Sequence, residues 1–173
     1  IGNMVDEAVE LTEIGLRRFN VRLTHHVAKH LPPLLVDPIL IEQVLGNLLK
    51  NATESVVQAH RPADRRRIEL QVAPSVADGK RVVEFSVTDT GKGIEPEVME
   101  RLYEAFYTTK AEGMGIGLGL CRSIVESHQG RMKAENLYNG AEVTGCRFSF
   151  WLPLADATPD QAAHQPPAEK VSG

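Results

Sequence analysis

The sequence predicts an α+β two-layer sandwich in which helices cover one face of a largely antiparallel sheet. Segments with apolar residues at helical spacing alternate with segments that alternate apolar and polar residues, as strands do. Two of these alternating segments flank Asp78-Gly79, a sequence typical of a tight hairpin turn. At 173 residues and 42% hydrophobic, the chain is long enough to form one domain with a substantial core.

The first part of the chain predicts helix, strand, helix. Residues 4–18 form an amphipathic pattern of four turns, and residues 21–27 alternate as a strand does. Asp37-Pro38 is a strong helix start, because an N-cap residue precedes a proline at the first helical position. We expect that helix to end near His60.

The second part predicts the hairpin, two helices and a last pair of strands. The hairpin strands contain residues 68–72 and 83–87, and a short helix covers 98–105. Residues 106–119 are too rich in Gly and Thr to be regular. The remaining predicted elements are a helix over 120–128, closed by Gly130, and strands over 131–137 and 146–152.

The composition divides the chain into a domain, residues 1–153, and a polar tail or linker, residues 154–173. The chain opens at Ile1, so we expect it to be part of a longer protein. It carries no apolar segment long enough for a membrane span, and Cys121 and Cys146 form no metal or redox motif. We therefore expect a cytoplasmic domain with reduced cysteines, whose parent could still be membrane-anchored.

The charge pattern argues against nucleic-acid binding. A formal net charge of −4 leaves no broad basic face to neutralise phosphates. The three arginines at 65–67 are the exception, and we interpret them as a solvated loop before a strand.

Asn47 and Asn51 form the first candidate site. They lie four residues apart, so both side chains project from the same face of the predicted helix. Two carboxamides on one face could hold a hydrated cation together with phosphate oxygens, or could simply hydrogen-bond neighbouring loops.

The second candidate site follows an apolar strand and consists of Asp89, Gly91, Gly93 and Ile94 in the segment DTGKGI. A carboxylate at a strand end can accept a hydrogen bond from the exocyclic amine of adenine, and glycines let the backbone approach a flat ring. The same pattern also occurs in ordinary tight turns.

The third candidate site is a glycine-rich loop that leads into a helix. Backbone amides at a helix N-terminus bind phosphate, and Lys110 would add a mobile positive charge. A flexible linker is the alternative, but large apolar residues separate the glycines here. The predicted loop residues are Thr108, Thr109, Lys110, Gly115, Ile116, Gly117, Leu118 and Gly119. The chain contains no P-loop, no dinucleotide-binding glycine motif and no protein-kinase catalytic motifs.

In this order, the segments NLLKNA, DTGKGI, EAFYTT and GMGIGLGL resemble the N, first glycine, F and second glycine boxes of the Bergerat ATP-binding (GHKL) fold. That fold is shared by sensor histidine kinases, DNA gyrase, a chaperone family and mismatch-repair ATPases. The resemblance covers about residues 5–153 and is strongest to PAS-linked sensor kinases of two-component systems. It implies a mixed sheet of about five strands, covered on one face by three helices.

The resemblance also implies a role for individual residues. Asn51 would be the Mg²⁺ ligand, Asn47 its neighbour near the phosphates, and Asp89 the residue that recognises adenine. The glycine-rich loop would act as a lid over the nucleotide. Phe106 would anchor this lid, and its glycines would wrap the triphosphate of ATP. In the ATP-hydrolysing relatives a glutamate that activates water stands at the place of Asn47, so this chain is expected to favour phosphoryl transfer over hydrolysis.

The chain departs from the family pattern in two ways. Cys146 stands where a threonine is usual, and a thiol is a weaker hydrogen-bonding group than a hydroxyl. None of the histidines lies in the phosphoacceptor pattern; these are His25, His26, His30, His60, His128 and His164. The phosphoacceptor is therefore expected on an upstream helical hairpin, and we assign no catalytic residue to this chain.

The sequence thus predicts a protein-histidine kinase domain that binds ATP and Mg²⁺. Its expected partners are its own histidine-bearing dimerisation domain and the receiver domain of a response regulator. The parent is expected to be a homodimer, whereas the isolated domain could be monomeric and have little activity. A GHKL-type ATPase and a non-catalytic interaction module remain the alternatives.

Overall fold

We analysed a computed structural model of the chain, which describes residues 1–101 and 114–155, without the side chains of 114–116. Four α-helices lie within these residues: α1 (Gly2–Arg18), α2 (Pro38–Gln58), α3 (Pro96–Glu100) and α4 (Met114–Ser127). The strands are β1 (Arg22–Val27), β2 (Arg67–Ala77), β3 (Lys80–Asp89), β4 (Arg131–Asn139) and β5 (Glu142–Pro153).

The five strands form one mixed sheet in the order β1-β2-β3-β5-β4. β1 pairs with β2 in parallel, and the other three pairings are antiparallel. Helix α2 packs against both α1 and α4, and all three helices pack on the sheet. The predicted fold class, an α+β sandwich with a largely antiparallel sheet, is confirmed.

The core lies between the helices and one face of the sheet. Leu70 and Val72 of β2 are fully buried, whereas Glu69 and Gln71, on the other face of the same strand, are exposed. Phe85 and Phe150, which are paired across β3 and β5, stack with their ring centroids 4.7 Å apart. This alternation is the pattern from which the strands were predicted.

Local signals place one helix start and one hairpin turn as expected. Asp37 caps α2 by accepting hydrogen bonds from the backbone N–H groups of Ile39 and Leu40, and Pro38 occupies the first turn. Asp78 and Gly79 both have positive φ, as a two-residue hairpin turn requires.

Other predicted boundaries were wrong. α4 begins at Met114, six residues before the predicted start at Leu120, because Leu118 and Cys121 continue the buried stripe formed by Ile124 and Val125. β4 and β5 are longer than predicted, since the hairpin that joins them continues to Asn139 and Glu142. The helix predicted over 98–105 corresponds to α3, which begins at Pro96 and ends at Glu100. Residues 102–105 lie outside the described part.

The arginine run at 65–67 is not a simple solvated loop. Arg65 ends a 3₁₀ turn (Ala63–Arg65), and Arg67 begins β2. The guanidinium of Arg66 donates hydrogen bonds to the backbone oxygens of Arg61 and Phe19.

The end of the domain reaches slightly past β5. Leu154 is buried in the core, and the backbone N–H of Ala155 donates to the backbone oxygen of Pro33. Residues 156–173, which make up most of the predicted tail, lie outside the described residues. Within the described ranges, no helix combines the length and apolar character needed to cross a membrane.

Candidate functional site

A stripe of three polar residues on α2 forms one wall of the candidate site. Asn47, Asn51 and Ser55 follow each other at intervals of four residues, so they lie on one face of the helix, and all three are half-buried. The opposite face of α2 carries Leu45 and Leu49, which are fully buried. Packing of the apolar face into the core therefore fixes the direction in which the polar stripe points.

The first end of the stripe lies against α4. The side-chain amide of Asn47 donates to the Cys121 sulfur over 3.6 Å. A methyl group added at Gly117 would lie 3.7 Å from the Asn47 carboxamide, so the glycine-rich start of α4 is in close range of Asn47. Burial raises the pKa of the Cys121 thiol to about 11, so it stays protonated at neutral pH.

The other end of the stripe lies against the loop after β3. A methyl group at Gly91 would overlap the Ser55 hydroxyl and would lie 2.8 Å from the Ser55 carbonyl carbon. Only a glycine therefore allows the loop to approach α2 this closely. The α2 stripe thus lies against the first glycine segment singled out in the sequence and close to the second.

Asp89, the last residue of β3, is the most buried acidic group described, with 3% of its surface exposed. One carboxylate oxygen accepts a hydrogen bond of 2.8 Å from the Gly91 backbone N–H. Burial raises the pKa of Asp89 to about 6, against the opposing effects of the Gly91 and Cys146 backbone N–H groups and the charge of Arg61. A buried carboxylate with spare acceptor capacity is suited to a ligand that donates hydrogen bonds.

The far end of the same loop is held by β4 and β5. Gly93 has a φ of +79°, and a methyl group there would meet Val143 and Asn136. The Asn136 carboxamide accepts from the Ile94 N–H and donates to the Ile94 carbonyl, both at 2.8 Å.

Cys146 lies directly opposite Asp89 in the register of β3 and β5 and is almost fully buried. Burial and the neighbouring Asp89 carboxylate raise the pKa of its thiol to about 12. Both cysteines are free and buried.

Sequence reasoning missed Arg61 and Asn136, which hold the loop through hydrogen bonds. Asn136 gave a weak signal, because asparagine is unfavourable in the middle of a strand. Arg61 gave none. Gly145 was also missed: a methyl group there would overlap the backbone oxygen of Asp89.

Of the predicted site residues, Asn47 and Asn51 lie on the α2 stripe, Gly117 lies beside Asn47, and Gly91 lies beside the stripe at Ser55. Asp89, Gly93, Ile94 and Cys146 belong to the loop after β3 or adjoin it. Leu118 packs into the hydrophobic core, and Gly119 lies in the second turn of α4. Gly115 and Ile116 belong to α4, but their surroundings are not described. Phe106, Thr108, Thr109 and Lys110 lie outside the described residues. Among the residues described, no group of three or more His, Cys, Asp or Glu side chains is placed to hold a metal ion.

Comparison with known proteins gives consistent results. Residues 36–156 match the family model of the histidine kinase-, DNA gyrase B-, and HSP90-like ATPase. The chain is 38% identical over 156 residues to the sensor protein FixL of Bradyrhizobium diazoefficiens. This alignment covers 90% of this chain and 29% of FixL. It is 36% identical over 154 residues to the C4-dicarboxylate transport sensor protein DctS of Rhodobacter capsulatus. This alignment covers 89% of this chain and 22% of DctS. The chain thus spans less than a third of these relatives.

Solved structures show the same likeness. The nucleotide-free catalytic domain of the histidine kinase ThkA superposes with a TM-score of 0.72 at 28% identity, over 88% of this chain and 91% of that domain. Full-length ShkA in complex with AMPPNP gives a TM-score of 0.66 at 26% identity, over 87% of this chain and 29% of ShkA. The chain belongs to the family of histidine kinase-, DNA gyrase B-, and HSP90-like ATPases, and the relatives and solved structures that it resembles here are sensor histidine kinases and their catalytic domains.

Proposed function

We propose that this domain binds Mg²⁺-ATP and donates the γ-phosphoryl group to a histidine on an upstream dimerisation domain, for relay to an aspartate of a response regulator. The family and the sensor-kinase relatives support this proposal. Because the chain spans only part of those relatives, the dimerisation domain, the homodimeric parent and the response regulator belong to the proposal. So does a cytoplasmic location, where ATP is available.

The observation that carries the proposal is the α2 stripe, which has one glycine segment close to each of its ends. Asn47 lies beside α4, Ser55 lies beside Gly91, and Asn51 lies between them. Eight residues of helix span roughly 12 Å, which is comparable to the distance from an adenine ring to the terminal phosphate of ATP. A nucleotide lying along the stripe would therefore meet different groups at its two ends.

We place the adenine at the Asp89 end. The ionised carboxylate would accept a hydrogen bond from the exocyclic amine, and Gly91 and Gly93 would form the floor beneath the ring. Cys146 lies beside this position and would add a weak thiol contact.

We place the phosphates at the Asn47 end, beside the N-terminus of α4. The backbone N–H groups of the first turn of a helix attract phosphate oxygens, and Gly115 and Gly117 would allow close approach there, with Gly119 in the next turn. Asn51 would hold Mg²⁺, which usually takes only one or two protein ligands besides phosphate and water. When bound, Mg²⁺ would neutralise charge on the phosphates during transfer. Phe106, Thr108, Thr109 and Lys110 would complete the lid.

The chain offers no base for hydrolysis at the place of Asn47, because a carboxamide cannot take a proton from water. In-line phosphoryl transfer asks the protein chiefly for positioning and charge neutralisation. The domain would therefore hold ATP until the incoming histidine attacks.

Calorimetric titration with ATP, with and without Mg²⁺, tests the proposal. Wild-type chain should bind ATP. Asp89→Asn should bind it about 5- to 100-fold more weakly, because a buried hydrogen bond is lost. Asn51→Ala should lose the dependence of binding on Mg²⁺.

Asn139→Ala serves as the matched control, because Asn139 is exposed at the end of β4, and it should bind like the wild type. If folded wild-type chain did not bind ATP at millimolar concentration, a non-catalytic interaction module would be the better explanation. Steady ADP production by the isolated chain would instead indicate an ATPase. If ATP binds, adding the parent's histidine hairpin should yield phosphohistidine.

A further inference from the structure

We propose that Arg61 is a positioning residue of the ATP site. It holds the loop after Asp89 in the conformation needed to recognise adenine. This inference rests on the proposed function. Arg61 lies three residues beyond α2, in the segment that leads to β2, and is half-buried.

The Arg61 guanidinium binds three backbone carbonyl oxygens at once. Its Nε donates to Thr90 over 2.6 Å, and its Nη2 donates to Gly91 over 3.0 Å and to Val143 over 3.4 Å. Thr90 and Gly91 directly follow Asp89, whereas Val143 belongs to β5. One side chain therefore ties the loop to the strand hairpin beneath it.

These contacts need an arginine. Backbone carbonyls can only accept hydrogen bonds, so the orientation of the donors is unambiguous. The planar guanidinium presents several N–H donors in fixed directions, whereas a lysine ammonium is a single point on a flexible stem. A lysine at this place could keep the charge but not all three contacts.

Arg61 is itself held in place. The guanidinium of Arg66 donates to the Arg61 backbone oxygen over 2.8 Å and to the Phe19 backbone oxygen over 2.8 Å. The Thr90 hydroxyl is bonded to the backbone of Arg65 and of Arg67 on the same segment. The segment after α2 thus binds the loop after β3 through the Arg61 side chain and through the backbone of Arg65 and Arg67.

The consequence for the site follows from the position of Asp89. Its carboxylate accepts from the Gly91 N–H, and Arg61 holds the Gly91 carbonyl on the other side of the same residue. Loss of the Arg61 contacts would let Gly91 shift, and the carboxylate would lose its fixed direction toward the adenine amine. Arg61 would therefore affect selection for the 6-amino group, without touching ATP itself.

The test compares ATP with purine riboside triphosphate, which lacks the 6-amino group, by calorimetry on the whole chain. Wild type should prefer ATP. Arg61→Lys should weaken ATP binding about tenfold, since contacts from a charged donor are lost. It should affect the analogue much less, so the preference for ATP should shrink. Arg61→Gln should show the same change.

Two comparisons isolate the effect. In an Asp89→Asn background, Arg61→Lys should have little further effect on ATP binding, because the residue through which it acts has been replaced. Arg67→Lys makes the same exchange at an exposed neighbour and should preserve both affinities. Thermal unfolding without nucleotide separates any loss of stability from the change in preference.

The outcomes are distinct. If the Arg61 variants lowered both affinities equally, lowered neither, or only lowered the unfolding temperature, the positioning role would be overturned. If the wild type bound neither nucleotide, the proposed function itself would fail. A selective loss for ATP that disappears in the Asp89→Asn background would support the role.

Discussion

The two walls of the candidate site are held by different kinds of interaction. The α2 wall is fixed by apolar packing, since Val44, Leu45, Leu48 and Leu49 on its inner face are 0–1% exposed. The loop after β3 is fixed by hydrogen bonds from polar side chains, chiefly those of Arg61 and Asn136. One wall thus belongs to the core, while the other is attached to it at a few points.

This difference predicts different responses to change. Apolar packing distributes its free energy over many contacts, so a change there should alter global stability and leave the polar face in place. A loop held by a few hydrogen bonds should lose its binding geometry before the fold is lost. Substitutions on each wall test this separation.

Removing core contacts from α2 should produce the largest effect. Leu45→Ala removes a fully buried side chain from the core face, and should lower the free energy of unfolding by about 2–5 kcal/mol. The folded fraction should bind ATP nearly as well as the wild type. Urea unfolding and calorimetry check this, and Lys50→Ala, at an exposed position of α2, should change stability by less than about 0.5 kcal/mol. A large loss of affinity in folded Leu45→Ala would contradict the separation of the two walls.

The buried carboxylate on the loop wall should make stability and binding respond to pH in opposite directions. Burial raises the pKa of Asp89 from an ordinary 3.8 to about 6, so its protonated form is favoured in the folded chain. That stabilisation is fully present below about pH 4 and is lost as pH rises through about 6, at a cost on the order of 2–3 kcal/mol. ATP binding should instead weaken below about pH 6, because the ionised carboxylate is the better acceptor.

Unfolding by urea at several pH values, compared with Asp89→Asn, isolates the contribution of Asp89. The free energy of unfolding of the wild type should fall relative to that of the variant between about pH 4 and about pH 7. A difference between the two proteins that does not change with pH would show that Asp89 is not the group responsible.

The wall built by packing was also the one that the sequence revealed. Core residues on α2 recur with the helical period, so the helix, its N-cap at Asp37 and the shared face of Asn47 and Asn51 could be predicted from local pattern. The hairpin at Asp78 was predictable for the same reason. The start of α4 was misjudged because glycines between apolar residues favour a loop by propensity, whereas packing of Leu118 and Cys121 favours a helix.

The contacts that hold the loop wall could not be read in this way. Arg61 reaches Val143 across 82 residues, and Asn136 reaches Ile94 across 42. No periodicity links such pairs, and each side chain alone is compatible with an ordinary surface role. The glycine motif showed where the loop lies, but only the tertiary structure shows what holds it.

One methyl group added to each wall gives the most direct comparison, with the smallest expected changes. At Gly91 the methyl would overlap Ser55, so Gly91→Ala should displace the loop at a cost of about 1–3 kcal/mol. We expect this cost to appear mainly as ATP binding that is about 5- to 100-fold weaker, measured by calorimetry.

At Gly46 of α2, nothing lies within 4 Å of the added methyl, and alanine is the better helix former. Gly46→Ala should therefore raise the free energy of unfolding by about 0.5–1 kcal/mol and leave ATP affinity unchanged. Each variant adds one methyl group close in sequence to a predicted site residue, Asn47 or Asp89, but the methyl meets open space at Gly46 and Ser55 at Gly91. If both weakened ATP binding alike, the site would respond as one unit, and the distinction between a packed wall and a hydrogen-bonded wall would not hold.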